Sequence, residues 1–432
     1  MSDSHHPDGA LPGHPHIARS NEQLMIEGLS AEELAQRFGT PLYVYSRAAI
    51  EQAAGQFEAA ARDRPLGLRY AIKANSSQAI LQLLARRGWG FDVVSAGELA
   101  RVLAAGGDAA KVVFSGVGKT DAEIAAALRA GVQCINVESP SELQRIERVA
   151  GDLQMRAPVS LRVNPDVDPR THPYISTGLR SSKFGIAQAL AVETYARCAR
   201  MPHLRVLGID VHIGSQITSV DPYLDALDRV LELVQHVERH GIALHHLDLG
   251  GGLGIRYADE RPPSPQQWID ALFERLQARG QGHRQVLLEP GRSLVGNAGV
   301  LLCRVVTLKS SLDGHFAVVD AAMNDLMRPA LYEAWQGIEP ARLHDGRQAL
   351  RYDVVGPVCE SGDWLGRQRL LDLREDDVLA ILSAGAYGMA MASNYNSRPR
   401  AAEVLVDGTQ AWLVRERESL DDLLRGERGL PG

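Results

Sequence analysis

The stretch Leu68 to Asn75 reads LRYAIKAN, a strand-patterned run with Leu68, Tyr70 and Ile72 on one side and an ammonium group, Lys73, where it stops. A lysine at a strand end is usually a solvated rim residue. Placed inside a pocket it loses solvation, its pKa falls, and it becomes a nucleophile or Schiff-base former. Other strand-like runs end in the same manner, on Asp92, Ser115, Glu138, Asn164, His212, Asp248 and Glu289. Ser95 and Ser139 read as helix caps. Capping does not account for so many polar groups closing one strand after another.

Two of these runs continue into glycine. The seventh gives DLGGGLGI, with Gly250, Gly251 and Gly252 in succession, and the eighth gives EPGRSLVGNAG, with Gly291 and Arg292 after Glu289. Consecutive glycines let backbone N–H groups approach an anion closely. A lysine, a phosphate cradle and a carboxylate together suit pyridoxal phosphate. Lys73 would form the Schiff base, the glycines would take the phosphate, and Glu289 would keep the pyridine nitrogen protonated, making the ring an electron sink. His212, in DVHIGSQ, would stack on the ring face, and Ser215 would donate to the phosphate. By itself His212 would read as a core histidine.

The elements that must position these groups show a rhythm. From Leu68 to Glu289 eight β-branched runs alternate with alanine- and leucine-rich helical segments. Alternation of this kind means parallel strands with crossover helices. Eight closes a (β/α)8 barrel, whose chemistry sits at the carboxyl ends of the strands and whose phosphate sites favour the loops after strands seven and eight. An open doubly wound sheet is the alternative if one strand is miscounted. After about Val300 the helices thin out and strands with turns follow. The expected architecture is a (β/α)8 barrel binding pyridoxal phosphate plus a C-terminal all-β domain. Its parts are a disordered tail over 1–22, a segment over 23–45 joining the β domain, the barrel over 46–300 and the β-rich domain over 301–432.

Composition excludes several classes. The 432 residues are 45% hydrophobic and 23% charged, with a formal net charge of -7, which leaves no footprint for nucleic acid or an anionic membrane. No run of about 18 apolar residues would span a bilayer, and the first twenty residues lack an apolar signal core. Pro and Gly deny the four histidines of that tail a fixed metal-binding geometry. The four cysteines contain no CxxC pair, so they frame neither a zinc site nor a disulfide scaffold and fit a reducing cytoplasm. Three lie in apolar runs; Cys359 lies in the polar, turn-rich CESGDWL.

YAIKAN, HIGSQ, DLGGGLGI, EPGR, MNDLMRPALY, GPVCESGDWL and SAGAYG, in that order, resemble the motifs of the diaminopimelate decarboxylase family, as do THPYISTGLRSSKFGI and NYNSRPRAAEVLVDG. The likeness runs from about residue 25 to 425. It implies that Lys73 is the Schiff-base lysine and that Gly251 or Gly252, Ser215 and the EPGR backbone, with Gly291, hold the phosphate. It further implies that Arg292, Arg328, Tyr332 and Glu360 contact substrate, that Cys359 is the proton donor and that Tyr387 touches the cofactor. A homodimer is implied, with Cys359 and Glu360 entering from the second subunit. The expected reaction converts meso-2,6-diaminopimelate to L-lysine and carbon dioxide. The alternatives are a related decarboxylase using another amino acid or a carrier-bound substrate, and a non-catalytic pyridoxal-phosphate carrier. Glu289 favours decarboxylase over racemase, since an arginine partner would weaken the electron sink. The arginines favour a substrate with a distal carboxylate.

Overall fold

The computed structural model describes residues 11, 13–168, 177–178, 182–312, 314–344 and 349–431. Two compact units emerge, one formed by 54–255 and 261–293, the other by 1–53, 256–260 and 294–432.

The first unit is the expected barrel. Its strands are β1 (Leu66–Ala71), β2 (Gly90–Val93), β3 (Val112–Phe114), β4 (Cys134–Val137), β5 (Ala157–Asn164), β6 (Leu204–Asp210), β7 (His246–Asp248) and β8 (Gln285–Leu288). Each pairs in parallel with the next, β4 with β5 and β8 with β1 included, so the sheet closes on itself. The eight correspond one for one to the runs read from the sequence. They are short and nearly continuously apolar because both faces are covered, as parallel sheets require. The caps fall as expected: Ser95 Oγ accepts from the Glu98 N–H at 3.2 Å and Ser139 Oγ from the Glu142 N–H at 3.1 Å. Thr120 and Glu123 add a reciprocal capping box at the start of Asp121–Ala130. These caps fix where each helix starts, and hence how the loop leaving the preceding strand is spanned.

The second unit is β-rich. Its main sheet runs Trp364–Leu371, Leu350–Val355, His315–Val319, Gly299–Ser310, Leu42–Ser46, Ala402–Asp407, Gln410–Arg415. The twelve-residue strand Gly299–Ser310 pairs with Leu42–Ser46, Val378–Ile381 and His315–Val319 along its length. Leu42, Val44, Val300, Leu302, Ala380 and Val404 share one core.

The beginning of the chain departs from expectation. Ile17–Ser20 is a strand paired antiparallel with Gln23–Ile26, so order begins before residue 23. His14 is buried, and its Nε2 lies 2.9 Å from Ser383 Oγ. Ile17, Leu24 and Ile26 join the core just described, and that apolar anchor outweighs the Pro- and Gly-rich composition around it. Most of the THPYISTGLRS portion of the quoted motif lies outside the described residues.

Candidate active site

The carboxyl ends of the barrel strands gather the polar groups expected there. Lys73 lies in a single 3-10 turn (Ile72–Ala74) directly after β1, and its Nζ pairs with Asp92 Oδ2 at the end of β2. Asp92 is fully buried, while the Lys73 side chain keeps 34% of its surface. The amine is thus held by a buried acid on a side chain that stays partly exposed.

Opposite chemistry is concentrated on β6, β7 and β8. Carboxylate oxygens of Asp210, Asp248 and Glu289 lie within 4.8 Å of one another, all three residues buried. Burial is the first cause that raises all three pKa values; the charge of Asp248 adds to it at Asp210 and Glu289, and that of Asp92 at Asp248. Asp248 is pushed up to about 6, with its hydrogen bond from the Gly250 N–H (3.0 Å) opposing the rise. Glu289 is raised well above the usual carboxylate range; its Oε1 is buried without a hydrogen-bond partner. The cluster therefore carries fewer than three charges near neutrality, and a cation brought to Glu289 would draw its proton off.

A buried ionic chain approaches this cluster from the side. Arg162, on β5, donates to Glu138 Oε1 at 2.9 Å and stands 3.7 Å from Asp210 Oδ2. Glu138 also accepts from the Gly185 N–H at 2.7 Å, and its own N–H donates to Glu142, which pairs with Lys119 at 2.8 Å. Arg162 and Asp210 were not singled out from sequence. The available signal was a charged residue inside an apolar strand run, VSLRVNP and VLGIDVHIG.

The glycine loop is built by close packing. A Cβ at Gly251 would stand 2.0 Å from the Glu289 carbonyl oxygen, and one at Gly252 (φ +98°) 2.2 Å from that of Gly214. Of the three successive N–H groups, that of Gly250 is taken by Asp248 and that of Gly251 by His212 Nδ1 at 3.3 Å. This bond makes Nδ1 an acceptor. Burial, then the charges of Arg162 and Lys73, keep the His212 ring neutral by pushing its pKa well down. Arg292, buried, donates from Nε and Nη2 to Ser215 Oγ at 3.3 and 3.1 Å. A Cβ at Gly291 would stand 3.1 Å from Ala71, so the loop after β8 runs close against β1. Lys73, His212, Ser215, Gly251, Gly252, Glu289, Gly291 and Arg292 thus all belong to the barrel unit.

These groups fit pyridoxal phosphate. The orphaned Glu289 oxygen wants a cationic N–H, the neutral imidazole offers an uncharged face, and Lys73 supplies the amine.

The remaining expected residues belong to the β unit. Arg328 is buried, with its guanidinium 4.4 Å from the Tyr257 ring centroid. Tyr332 closes the same short helix, Arg328–Tyr332, and is half-buried. Cys359 is exposed, unlike the buried Cys134, Cys198 and Cys303, and its N–H donates to Asn396 Oδ1 at 2.8 Å. Asp363 braces that loop, accepting from the N–H groups of Met323 (2.6 Å) and Val358 (2.9 Å). Glu360 is exposed and hydrogen-bonds Tyr395. Tyr387 is half-buried at φ +55° in the loop SAGAYG.

A closed parallel barrel with a lysine after β1 and a buried acid after β8 defines a class. Residues 47–296 match the family described as "Pyridoxal-dependent decarboxylase, pyridoxal binding domain". The chain is 56% identical to a diaminopimelate decarboxylase of Pseudomonas aeruginosa over 95% of its own length and 98% of that relative. It is similar to the crystal structure of diaminopimelate decarboxylase from M. jannaschii in co-complex with L-lysine, with a TM-score of 0.92 and 38% identity, covering 97% of this chain and 99% of that one. It is likewise similar to the enzyme from Helicobacter pylori complexed with L-lysine, with a TM-score of 0.87 and 39% identity over 91% of this chain and 98% of that one. This chain belongs to the pyridoxal-dependent decarboxylases and, within them, to the diaminopimelate decarboxylase family.

Proposed function

We propose that the chain removes the carboxyl group at one end of meso-2,6-diaminopimelate, releasing carbon dioxide and L-lysine, the last step of lysine biosynthesis. The observation that carries this reading is the buried acid cluster around Glu289, in a chain that matches diaminopimelate decarboxylases over nearly its whole length. Pyridoxal phosphate, when bound, supplies the electron sink for the pair left on Cα as the carboxyl departs.

The chain's own residues do the rest. Lys73 would hold the cofactor, and Asp92 keeps the amine positioned. Glu289 holds a proton at the pyridine nitrogen, with Asp248 and Asp210 supplying the negative field that favours it there. His212 would lie against the ring as a neutral plate, oriented by the Gly251 N–H. Gly252, whose N–H has no acceptor among the described residues, would hold the phosphate together with Ser215 and the backbone at Gly291 and Arg292. The Cys359 thiol returns a proton to Cα. Arg292, Arg328, Tyr332 and Glu360 read the distal carboxylate and ammonium of the substrate, and Tyr387 contacts cofactor and substrate. The family resemblance supports a cytoplasmic homodimer in which Cys359 and Glu360 of one subunit serve the site of the other.

Carbon dioxide release by the purified, cofactor-loaded protein tests the reading, with meso-diaminopimelate, ornithine, lysine and arginine assayed side by side. Release from diaminopimelate alone is expected. Release from ornithine or lysine at an equal rate would replace this substrate assignment with a basic amino acid.

A further inference from the structure

The β unit contains a buried charge without a counter-charge. Arg369 lies on the strand Trp364–Leu371, antiparallel to Leu350–Val355. Gly366 faces Val354 and Arg369 faces Tyr352, so this strand carries one residue more than its partner between the two pairs. Gln368 absorbs the extra length at φ +53°, its N–H donating to Asp353 Oδ1 at 2.7 Å. Bulges of this kind re-aim side chains. Here Arg367 and Gln368 face solvent while Arg369 turns inward, 7% exposed.

The guanidinium of Arg369 sits 3.2 Å from the centroid of the Trp335 ring, and its Nε is buried with no hydrogen-bond partner. Among the described residues no carboxylate pairs with it. Desolvation alone pushes its pKa down, to about 10, with no anion opposing the fall. Gly366 makes room: a Cβ there would stand 2.7 Å from Arg369 Nε. A buried cation is ordinarily paired, because its desolvation is otherwise unrecovered. The space beside it is a cavity of ≈ 290 Å³ lined by Arg369, Trp335, Trp364 and Arg367. Arg367 lies over Trp364 at 4.3 Å. Glu333 stands exposed in the lining and forms no ion pair with either arginine.

We propose that this cavity binds a small organic carboxylate, its charge held by the Arg369 fork and its carbon skeleton lying against Trp335 and Trp364. The Arg geometry matches a carboxylate bidentately, and the apolar walls disfavour a fully hydrated anion. The volume is at the small end for ligand sites, which suits a molecule of amino-acid size. Pro329 and Ala330 of the Arg328–Tyr332 helix and Gly362 of the Cys359 loop form other walls. An occupant therefore touches the segments that carry Arg328, Tyr332 and Cys359. The inference stands apart from the decarboxylase assignment, since it uses none of the residues given roles there.

The test is calorimetry and thermal denaturation of the holoenzyme with sodium benzoate, with benzamide as the neutral isostere and inorganic phosphate as the hydrated anion. Benzoate should bind saturably and raise Tm, with benzamide at least tenfold weaker and phosphate without effect. Arg369→Met should weaken benzoate at least tenfold while matching or exceeding the wild-type Tm without ligand, because it removes an unpaired buried charge. Trp335→Ala, at a half-exposed position, should weaken benzoate severalfold and serves if Arg369→Met does not fold. Undiminished benzoate binding in both variants, phosphate equal to benzoate, or no saturable binding by the wild type would overturn the proposal. So would dissociation of the oligomer by Arg369→Met, which would give the guanidinium to a carboxylate of a second subunit.

Discussion

Asp248→Asn in cofactor-free protein probes the acid cluster through stability. The folded state raises the Asp248 pKa from 3.8 to about 6, first by burial; the unfolded chain leaves it near its ordinary value. A carboxyl whose pKa is raised on folding adds stability at pH values below its unfolded pKa, and that contribution is lost as pH climbs through the folded value. A difference of this size is worth about 3 kcal/mol. Asparagine keeps the shape and an oxygen that accepts from the Gly250 N–H, but it cannot ionise. The stability of the variant relative to wild type should therefore grow by about 3 kcal/mol between about pH 4 and pH 7 and then level off. Any packing cost of the substitution is the same at both ends and drops out. Urea denaturation of both proteins across that range, cofactor removed, measures the difference. A difference curve that stays flat with pH would refute the picture of Asp248 as a buried acid raised by its surroundings.

Lys73→Ala should abolish the visible absorbance of lysine-linked cofactor; persistence of the band on added pyridoxal phosphate would point to another lysine. Gly251→Ala places a Cβ against the Glu289 carbonyl oxygen, so the protein should lose cofactor on dialysis at a rate well above wild type, read by absorbance, whereas unchanged retention would show that the loop yields cheaply. Arg328→Ala removes a charge-assisted contact worth about 1.5–3 kcal/mol, so KM for diaminopimelate should rise roughly ten- to a hundredfold; an unchanged KM ends its substrate role. Cys359→Ala should keep the cofactor spectrum and lose most of kcat, and full turnover would remove the thiol from the reaction.

Period and punctuation carried the barrel. All eight strands could be read because each is a short apolar run bounded by a helical segment, and each closed on a polar residue. The partners inside the barrel were harder to see. Arg162 and Asp210 lie within strand runs, and nothing in their spacing says that a residue on β5 and one on β6 will stand 3.7 Å apart. The strand Trp364–Leu371 is hard to read from sequence because a bulge at Gln368 breaks its alternation. The N-terminal strands were hidden for a different reason. Gly, Pro and His around residues 7–16 read as disorder, and only tertiary burial of Ile17, Leu24 and Ile26 overrides that composition. The glycine run was legible as a tight loop. That two of its three N–H groups are spent on Asp248 and His212 was not.

Leu42–Ser46 lies in the middle of the β sheet, between Gly299–Ser310 and Ala402–Asp407, although the whole barrel separates it from both in sequence. On a ribosome adding about 5–20 residues per second, this strand emerges first and waits on the order of ten seconds or more for either neighbour. All five of its residues are buried once the sheet forms. During the wait they are an apolar, hydrogen-bond-hungry ribbon with nothing native to pair with. The barrel can close behind it on its own local contacts, so the birth order of the chain leaves LYVYS unpaired until Gly299–Ser310 is made.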